Sequence, residues 1–146
     1  MLGERLGGGT GKITGTRVLP SEGQQVWLEA ALQGEGTVLG QPVMLLASYR
    51  QTPLGGGTLR GEGKVLFLAA DGGLADTVTG GTGHMLGAGF ATSYGWYGSA
   101  VSAQGSLAQL AEAAIVGEYE IAADGSATWE MWAWTGARVP MAAGAR

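Results

Sequence analysis

Turn-forming clusters interrupt this 146-residue chain at near-regular intervals, and few folds accommodate such punctuation. They stand at Pro20-Ser21-Glu22-Gly23, Leu39-Gly40-Gln41-Pro42, Pro53-Leu54-Gly55-Gly56-Gly57, Asp71-Gly72-Gly73, Gly87-Ala88-Gly89 and Asp124-Gly125. The two Asp-Gly pairs are the sharpest hairpin signals, because a tight two-residue turn needs positive φ and these residues tolerate it. The stretches between clusters, about ten to fourteen residues each, predict strands. We place eight of them, over 11–19, 25–37, 42–52, 58–70, 74–86, 91–102, 114–123 and 126–135.

Period-two alternation supports the assignment. In the second stretch Val26, Leu28, Ala30 and Leu32 share one face, against Trp27, Glu29, Gln33 and Glu35 on the other. The fourth sets Leu59, Gly61, Gly63, Val65 and Phe67 against Arg60, Glu62 and Lys64. The eighth sets Trp129 and Met131 against Glu130, Trp132 and Trp134. The runs Val43 to Ala47 and Val65 to Ala70 are apolar on both faces, which predicts core on one side and a loop or second subunit on the other. One segment departs from the pattern. Ser106 to Ala113 is rich in Ala and Leu, Ser106 with Gln109 forms a capping box, and Leu107, Leu110 and Ala111 recur at helical spacing. It predicts one short helix near 106–113.

A meander of eight strands must dispose of its edges, and curling until the first strand meets the last removes them. The glycine content fits such coiling. There are 29 glycines, about three times the usual share, with no collagen-like three-residue period. The pairs Gly34/Gly36, Gly61/Gly63 and Gly81/Gly83 each sit on one strand face, where they permit curvature and close approach of side chains from across a barrel. The expected fold is therefore all-β: an eight-stranded antiparallel up-and-down barrel over 10–136, with a flexible N-terminal arm over 1–9 and a C-terminal tail over 137–146. A barrel of this size is either filled by side chains or holds one small ligand.

Composition removes several function classes. The net charge is −4, with only two lysines, which argues against phosphate neutralisation and nucleic-acid binding. Without cysteine there is no disulfide scaffold and no thiol chemistry, and a single histidine leaves no multi-histidine metal site. Met1 to Lys12 has no apolar core of a secretory signal, and no stretch of 18 apolar residues occurs. A cytoplasmic protein is expected, with no membrane span, no metal and no cofactor. The Gly-rich start is not a phosphate loop, since Leu6 stands where the first glycine belongs and Ile13 where Ser or Thr belongs.

Candidate functional residues divide by strand face. Glu35 and Glu62 each sit between two glycines. With the glycine face outward they enter the lumen, where burial raises a carboxyl pKa; with it inward they are surface charges, the reading that Arg60 and Lys64 favour. Glu118 and Glu120 share a face at about 7 Å, a spacing suited to inverting glycoside hydrolysis, but nothing else in the sequence points to sugar chemistry and a surface pair is the favoured reading. His84, the only imidazole, reads as a strand-edge residue more readily than as a base. The aromatics Tyr49, Tyr94, Trp96, Tyr97, Tyr119, Trp129, Trp132 and Trp134 exceed what a small core absorbs, and some are expected to line a cavity.

Three segments carry a resemblance: Gly15-Thr16-Arg17-Val18-Leu19, Gly57-Thr58-Leu59-Arg60-Gly61-Glu62-Gly63, and Gly117-Glu118-Tyr119-Glu120 leading through Asp124-Gly125 to Trp132-Ala133-Trp134. Over roughly 11–135 the chain resembles the allene oxide cyclase-like barrel group, which includes dirigent proteins and small bacterial members. The resemblance implies an apolar barrel cavity, cofactor-free cyclisation or chaperoning of a reactive intermediate, and dimers or trimers. No catalytic motif of the plant enzymes transfers residue by residue.

Together these readings predict a small-molecule-binding barrel, acting as a cofactor-independent cyclase or isomerase on an apolar substrate held inside. The alternatives are a non-catalytic carrier and an oligomeric structural module with a filled lumen. For chemistry the candidates are Tyr49, Glu62, Tyr97 and Tyr119; for substrate walls, Trp96, Trp132, Phe67 and Met131.

Overall fold

The computed structural model describes residues 1–20 and 23–135. Eight antiparallel strands follow one another around a closed barrel: β1 (Leu2–Leu19), β2 (Trp27–Val38), β3 (Gln41–Gly55), β4 (Thr58–Ala69), β5 (Leu74–Met85), β6 (Thr92–Gln104), β7 (Ala114–Ile121) and β8 (Ser126–Trp134). A short 3-10 helix, Gly105–Glu112, lies between β6 and β7. The eight-stranded antiparallel barrel expected from the punctuation is therefore the fold, and both Asp-Gly pairs fall at strand-to-strand turns, after β4 and after β7. Among the described residues, no helix is long and apolar enough to cross a membrane.

The N-terminus departs from expectation. Residues 2–9, expected as a flexible arm, belong to β1. Closure is the reason. The early part of β1, Leu2 to Lys12, pairs with β8, while Gly7 to Leu19 pairs with β2. Staggering the two partners along one long strand supplies the shear that a tilted barrel needs. Glycines at 7, 8 and 9 suit this role, because the chain approaches its neighbours too closely there for side chains. A Cβ on Gly8 would lie 2.9 Å from the Trp129 carbonyl oxygen. The expected tail, 137–146, lies outside the described residues.

The lumen-facing residues form layers. At one end, Leu6, Val38, Ala75, Ile115 and Met131 pack with Leu107 and Leu110 of the 3-10 helix, which is how that end is plugged. Ser106 does not cap the helix as expected; Gln104 stands at the N-cap without a side-chain bond. The Ser106 hydroxyl instead donates to Asp71 Oδ1 at 2.8 Å, an oxygen that also accepts from the Gly73 N–H at 3.0 Å. The plug is thus tied to the β4–β5 turn. Of its expected apolar face only Leu107 and Leu110 are buried; Ala111 is exposed.

On the outer wall, Met44 opposes Leu68 and Leu46 opposes Leu66 in the β3–β4 register. Both faces of these runs are apolar as expected, but Met44 and Leu46 stand exposed.

Candidate ligand-binding site

Which face turns inward follows from where the glycines stand. Tyr49 on β3 is the register partner of Gly63 on β4, and a Cβ on Gly63 would fall 2.5 Å from that of Tyr49. Tyr94 on β6 pairs with Gly83 on β5, and its ring covers the glycine so closely that a Cβ there would lie 2.8 Å from it. Trp96 spreads its indole across its partner Gly117 on β7. Each large ring lies against a bare stretch of neighbouring backbone. That arrangement removes glycine backbone from water and lets the sheet coil tightly, so the glycine face is the inner face.

Tyr49 and Tyr94 form one layer with a third inward ring, Tyr119. Tyr94 and Tyr119, direct partners across β6 and β7, stack with centroids 5.1 Å apart and an interplanar angle of 7°. Tyr49 meets both edge-on, at 6.1 Å from Tyr94 and 6.0 Å from Tyr119. The Tyr94 hydroxyl donates to Gln51 Oε1 in a short hydrogen bond. The Tyr119 hydroxyl is buried and lacks a formed hydrogen bond; it approaches the Tyr49 oxygen without the alignment of one. Burial pushes all three phenols above their ordinary pKa. For Tyr94 and Tyr119 the neighbouring Tyr49 adds to the rise, since two phenolates cannot share this volume, whereas at Tyr49 the approach of Tyr119 partly offsets the burial effect. All three are neutral O–H groups at physiological pH.

The phenol layer separates two spaces. On the plugged side is an inner cavity of about 70 Å³, walled by Leu45, Val65, Phe67, Trp96 and Trp129. Its hydroxyl at Thr79 is already committed to the Gly63 carbonyl at 3.2 Å. On the open side is a vestibule of about 340 Å³ at the barrel mouth, walled by Leu28, Ala30, Leu59, Phe90 and Ile121. Tyr49 borders both spaces, and Gln51 lies on the vestibule side. The vestibule is within the range of small-molecule pockets, and the inner cavity is far below it. Arg17 and Glu29 at the mouth neutralise each other at 3.3 Å. Along the wall beside the phenols, Glu62 and Lys64 of β4 turn outward, to Arg50 and Asp76.

The structure therefore sorts the expected site residues. It brings together Tyr49 and Tyr119 in the phenol layer, with Trp96 and Phe67 beyond them on the inner cavity. Met131 also faces inward, but it is fully buried among the plug residues and touches neither space. Glu62, Tyr97 and Trp132 are on the outer wall. The Glu62 carboxylate accepts from Arg50 Nε at 2.7 Å, Tyr97 is 65% exposed and lies over Gly80, and Trp132 pairs with Val116 and Arg5. Each is an odd step along its strand from an inward residue, so its side chain turns away from the lumen, although Glu62 still borders the inner cavity from the wall. Glu35, Glu118, Glu120 and His84 are likewise exposed. Among the described residues no group of three acidic or imidazole side chains is placed to hold a metal.

Sequence reasoning missed Gln51 altogether and left Tyr94 and Trp129 among the undivided aromatics. A signal for them existed. Gln51 is two residues from Tyr49, and Tyr94 two from Trp96, so each shares a strand face with a residue already singled out.

The architecture is thus an eight-stranded barrel plugged at one end and open at the other, with a polar floor in its mouth. It is shared with solved proteins. A conserved protein of unknown function from Rhodopseudomonas palustris superposes with a TM-score of 0.72 at 14% identity, covering 92% of this chain and 99% of its own. A protein of unknown function from Clostridium acetobutylicum superposes with a TM-score of 0.67 at 8% identity, covering 88% and 97%. At such identities the likeness is one of fold. No protein-family model matches the chain, and no curated protein matches it.

Proposed function

We propose that this protein binds a small, mostly apolar molecule in the barrel mouth, seated on the phenol layer. One observation carries the reading: a vestibule of about 340 Å³ at the barrel mouth, walled largely by apolar side chains, ends on Tyr49 and Gln51 and has the size of a small-molecule pocket.

Binding without turnover is the form the site favours. Acid–base isomerisation needs a free group that takes a proton, and the carboxylates bordering the two spaces, Glu29 and Glu62, are held in ion pairs with Arg17 and Arg50. A cyclase reading has one feature in its favour. The phenols are neutral donors, fixed in position and shielded from water, and such donors stabilise oxygen on which negative charge develops. A substrate whose ring closure needs only a held conformer and a polarised oxygen suits this lumen without a cofactor. The dimer or trimer expected from the sequence fits the same scheme, with Met44, Leu46, Leu66 and Leu68 covered by a second copy in the cytoplasm.

Native mass spectrometry on protein isolated from its source tests the proposal. A retained small molecule is expected, released on denaturation and absent from a Leu28→Trp variant that fills the vestibule. Equal retention by that variant, or unliganded protein that also fails to take up an added naphthyl ketone, overturns it.

A further inference from the structure

One polar side chain in the vestibule is held in a single orientation by the barrel itself. Gln51 on β3 is half-buried and lines the vestibule. Its amide oxygen accepts from the Tyr94 hydroxyl on β6, three strands away. Glycines make that reach possible. The Tyr94 ring lies over Gly83 of β5, where a Cβ would fall 2.8 Å from it. Its hydroxyl then passes Gly61 of β4, the register partner of Gln51, where a Cβ would stand 3.5 Å from the phenol oxygen.

The bond sets the sense of the amide. With the carbonyl side turned to Tyr94, the NH2 side is turned away from it and presents donors only. That nitrogen makes no hydrogen bond among the described residues. It is not one of the buried atoms left without a partner, Thr52 Oγ1 and the Tyr119 hydroxyl oxygen, so it keeps accessible surface on the space that Gln51 lines. The other polar groups there impose no such sense. The Thr92 hydroxyl is committed to the Phe90 carbonyl at 3.0 Å, and the Tyr49 hydroxyl lies against that of Tyr119. Arg17 and Glu29 present one charge of each sign, paired at 3.3 Å, and the exposed Thr16 hydroxyl donates or accepts by turning.

We infer that Gln51 is the specificity-determining residue of the vestibule, and that its oriented amide selects a guest carrying an acceptor oxygen over one of the same shape carrying only a donor. This rests on the reading of the barrel mouth as a ligand site. An acceptor oxygen meets the Gln51 N–H. A guest N–H in the same place meets another donor and loses its hydration with nothing to replace it. Tyr94 is a positioning residue that acts through Gln51.

Three probes of one shape test the inference by fluorescence titration: 9-fluorenone carries an acceptor, carbazole a donor, and fluorene neither. Fluorenone is expected to bind about tenfold more tightly than fluorene, the factor that one net hydrogen bond of about 1.4 kcal/mol confers. Carbazole is expected to bind no more tightly than fluorene. In Tyr94→Phe the amide is free to turn its oxygen to the guest, so carbazole should gain and the ratio of fluorenone to carbazole affinity should narrow, whereas mere damage to the site would weaken all three alike. Gln51→Met, made in the Tyr94→Phe background so that no freed phenol replaces the amide, should bring the ratio of fluorenone to fluorene toward one. The carbonyl stretch of bound fluorenone, read by infrared difference spectroscopy on the unaltered protein, should shift to lower frequency, so a failure of the variants to fold does not remove the test. Equal binding of fluorenone and fluorene, tightest binding of carbazole, or an unshifted carbonyl stretch overturns the role of Gln51 and leaves the ligand site standing. Binding of none of the three overturns both.

Discussion

The phenol rings of Tyr94 and Tyr119, partners across β6 and β7, lie parallel within 7° and 5.1 Å apart, yet only one of their hydroxyls has a hydrogen-bond partner. The two positions should therefore respond oppositely to the same substitution. Tyr94→Phe strands the Gln51 amide and is expected to cost about 1 kcal/mol of stability. Tyr119→Phe removes a buried hydroxyl with no formed bond and should be neutral or stabilising by up to about 1 kcal/mol. Urea unfolding of the two variants checks this; an equal loss in both would mean that the Tyr119 hydroxyl is satisfied in solution.

The three inward phenols also fix the alkaline limit of stability. Their folded-state pKa values are raised above 10.0, the value they return to in the unfolded chain. Below that pH both states hold the protons and the phenols give stability no pH dependence. Above it the unfolded chain ionises first and binds fewer protons, so stability falls as pH rises, by up to about 1.4 kcal/mol per pH unit for each phenol. Absorbance at the phenolate band should show the buried phenols ionising together with loss of the barrel. Ionisation of all four tyrosines while the far-ultraviolet spectrum stays native would contradict this.

Gly117 and Gly95 lie on neighbouring strands and should differ sharply as alanines. A Cβ on Gly117 enters the Trp96 indole, whereas one on Gly95 meets nothing within 4 Å. Gly117→Ala is expected to cost about 1–3 kcal/mol through overpacking, and Gly95→Ala to change stability by no more than about 1 kcal/mol. Thermal unfolding compares them. A mild effect at Gly117 would show that Trp96 has room to move and that the inner cavity is adjustable.

Glu62 is bound to Arg50 on the outer wall, with both side chains about half exposed, and Arg50 in turn lies 4.6 Å from the centre of the Trp27 ring. Glu62→Gln should change stability by under about 1 kcal/mol. It should leave the affinity for a naphthyl ketone unaltered. A marked loss of ligand affinity would place this carboxylate in the site after all.

The sequence by itself determined the strands and their succession. Asp71-Gly72 and Asp124-Gly125 set turns, alternation such as Leu59/Arg60/Gly61/Glu62 set period two, and eight strands in tandem required closure. These signals are local or nearly so, which is why they are legible in one dimension. Period two also divided the fourth strand into two sets of residues, placing Glu62 with Arg60 and Lys64 and opposite Gly61 and Gly63.

Which set faces the lumen was decided by the tertiary structure. The direction in which a sheet curls is a collective property, settled by all eight strands together. Here it is settled where Tyr94, Trp96 and Tyr49 find glycines on the neighbouring strand to lie against. That choice sent Glu62, Tyr97 and Trp132 outside and gathered Tyr49, Gln51, Tyr94 and Tyr119 within. The role of residues 2–9 was decided in the same way. A glycine-rich start carries no strand signal of its own and becomes β1 only because β8 arrives beside it and needs a partner.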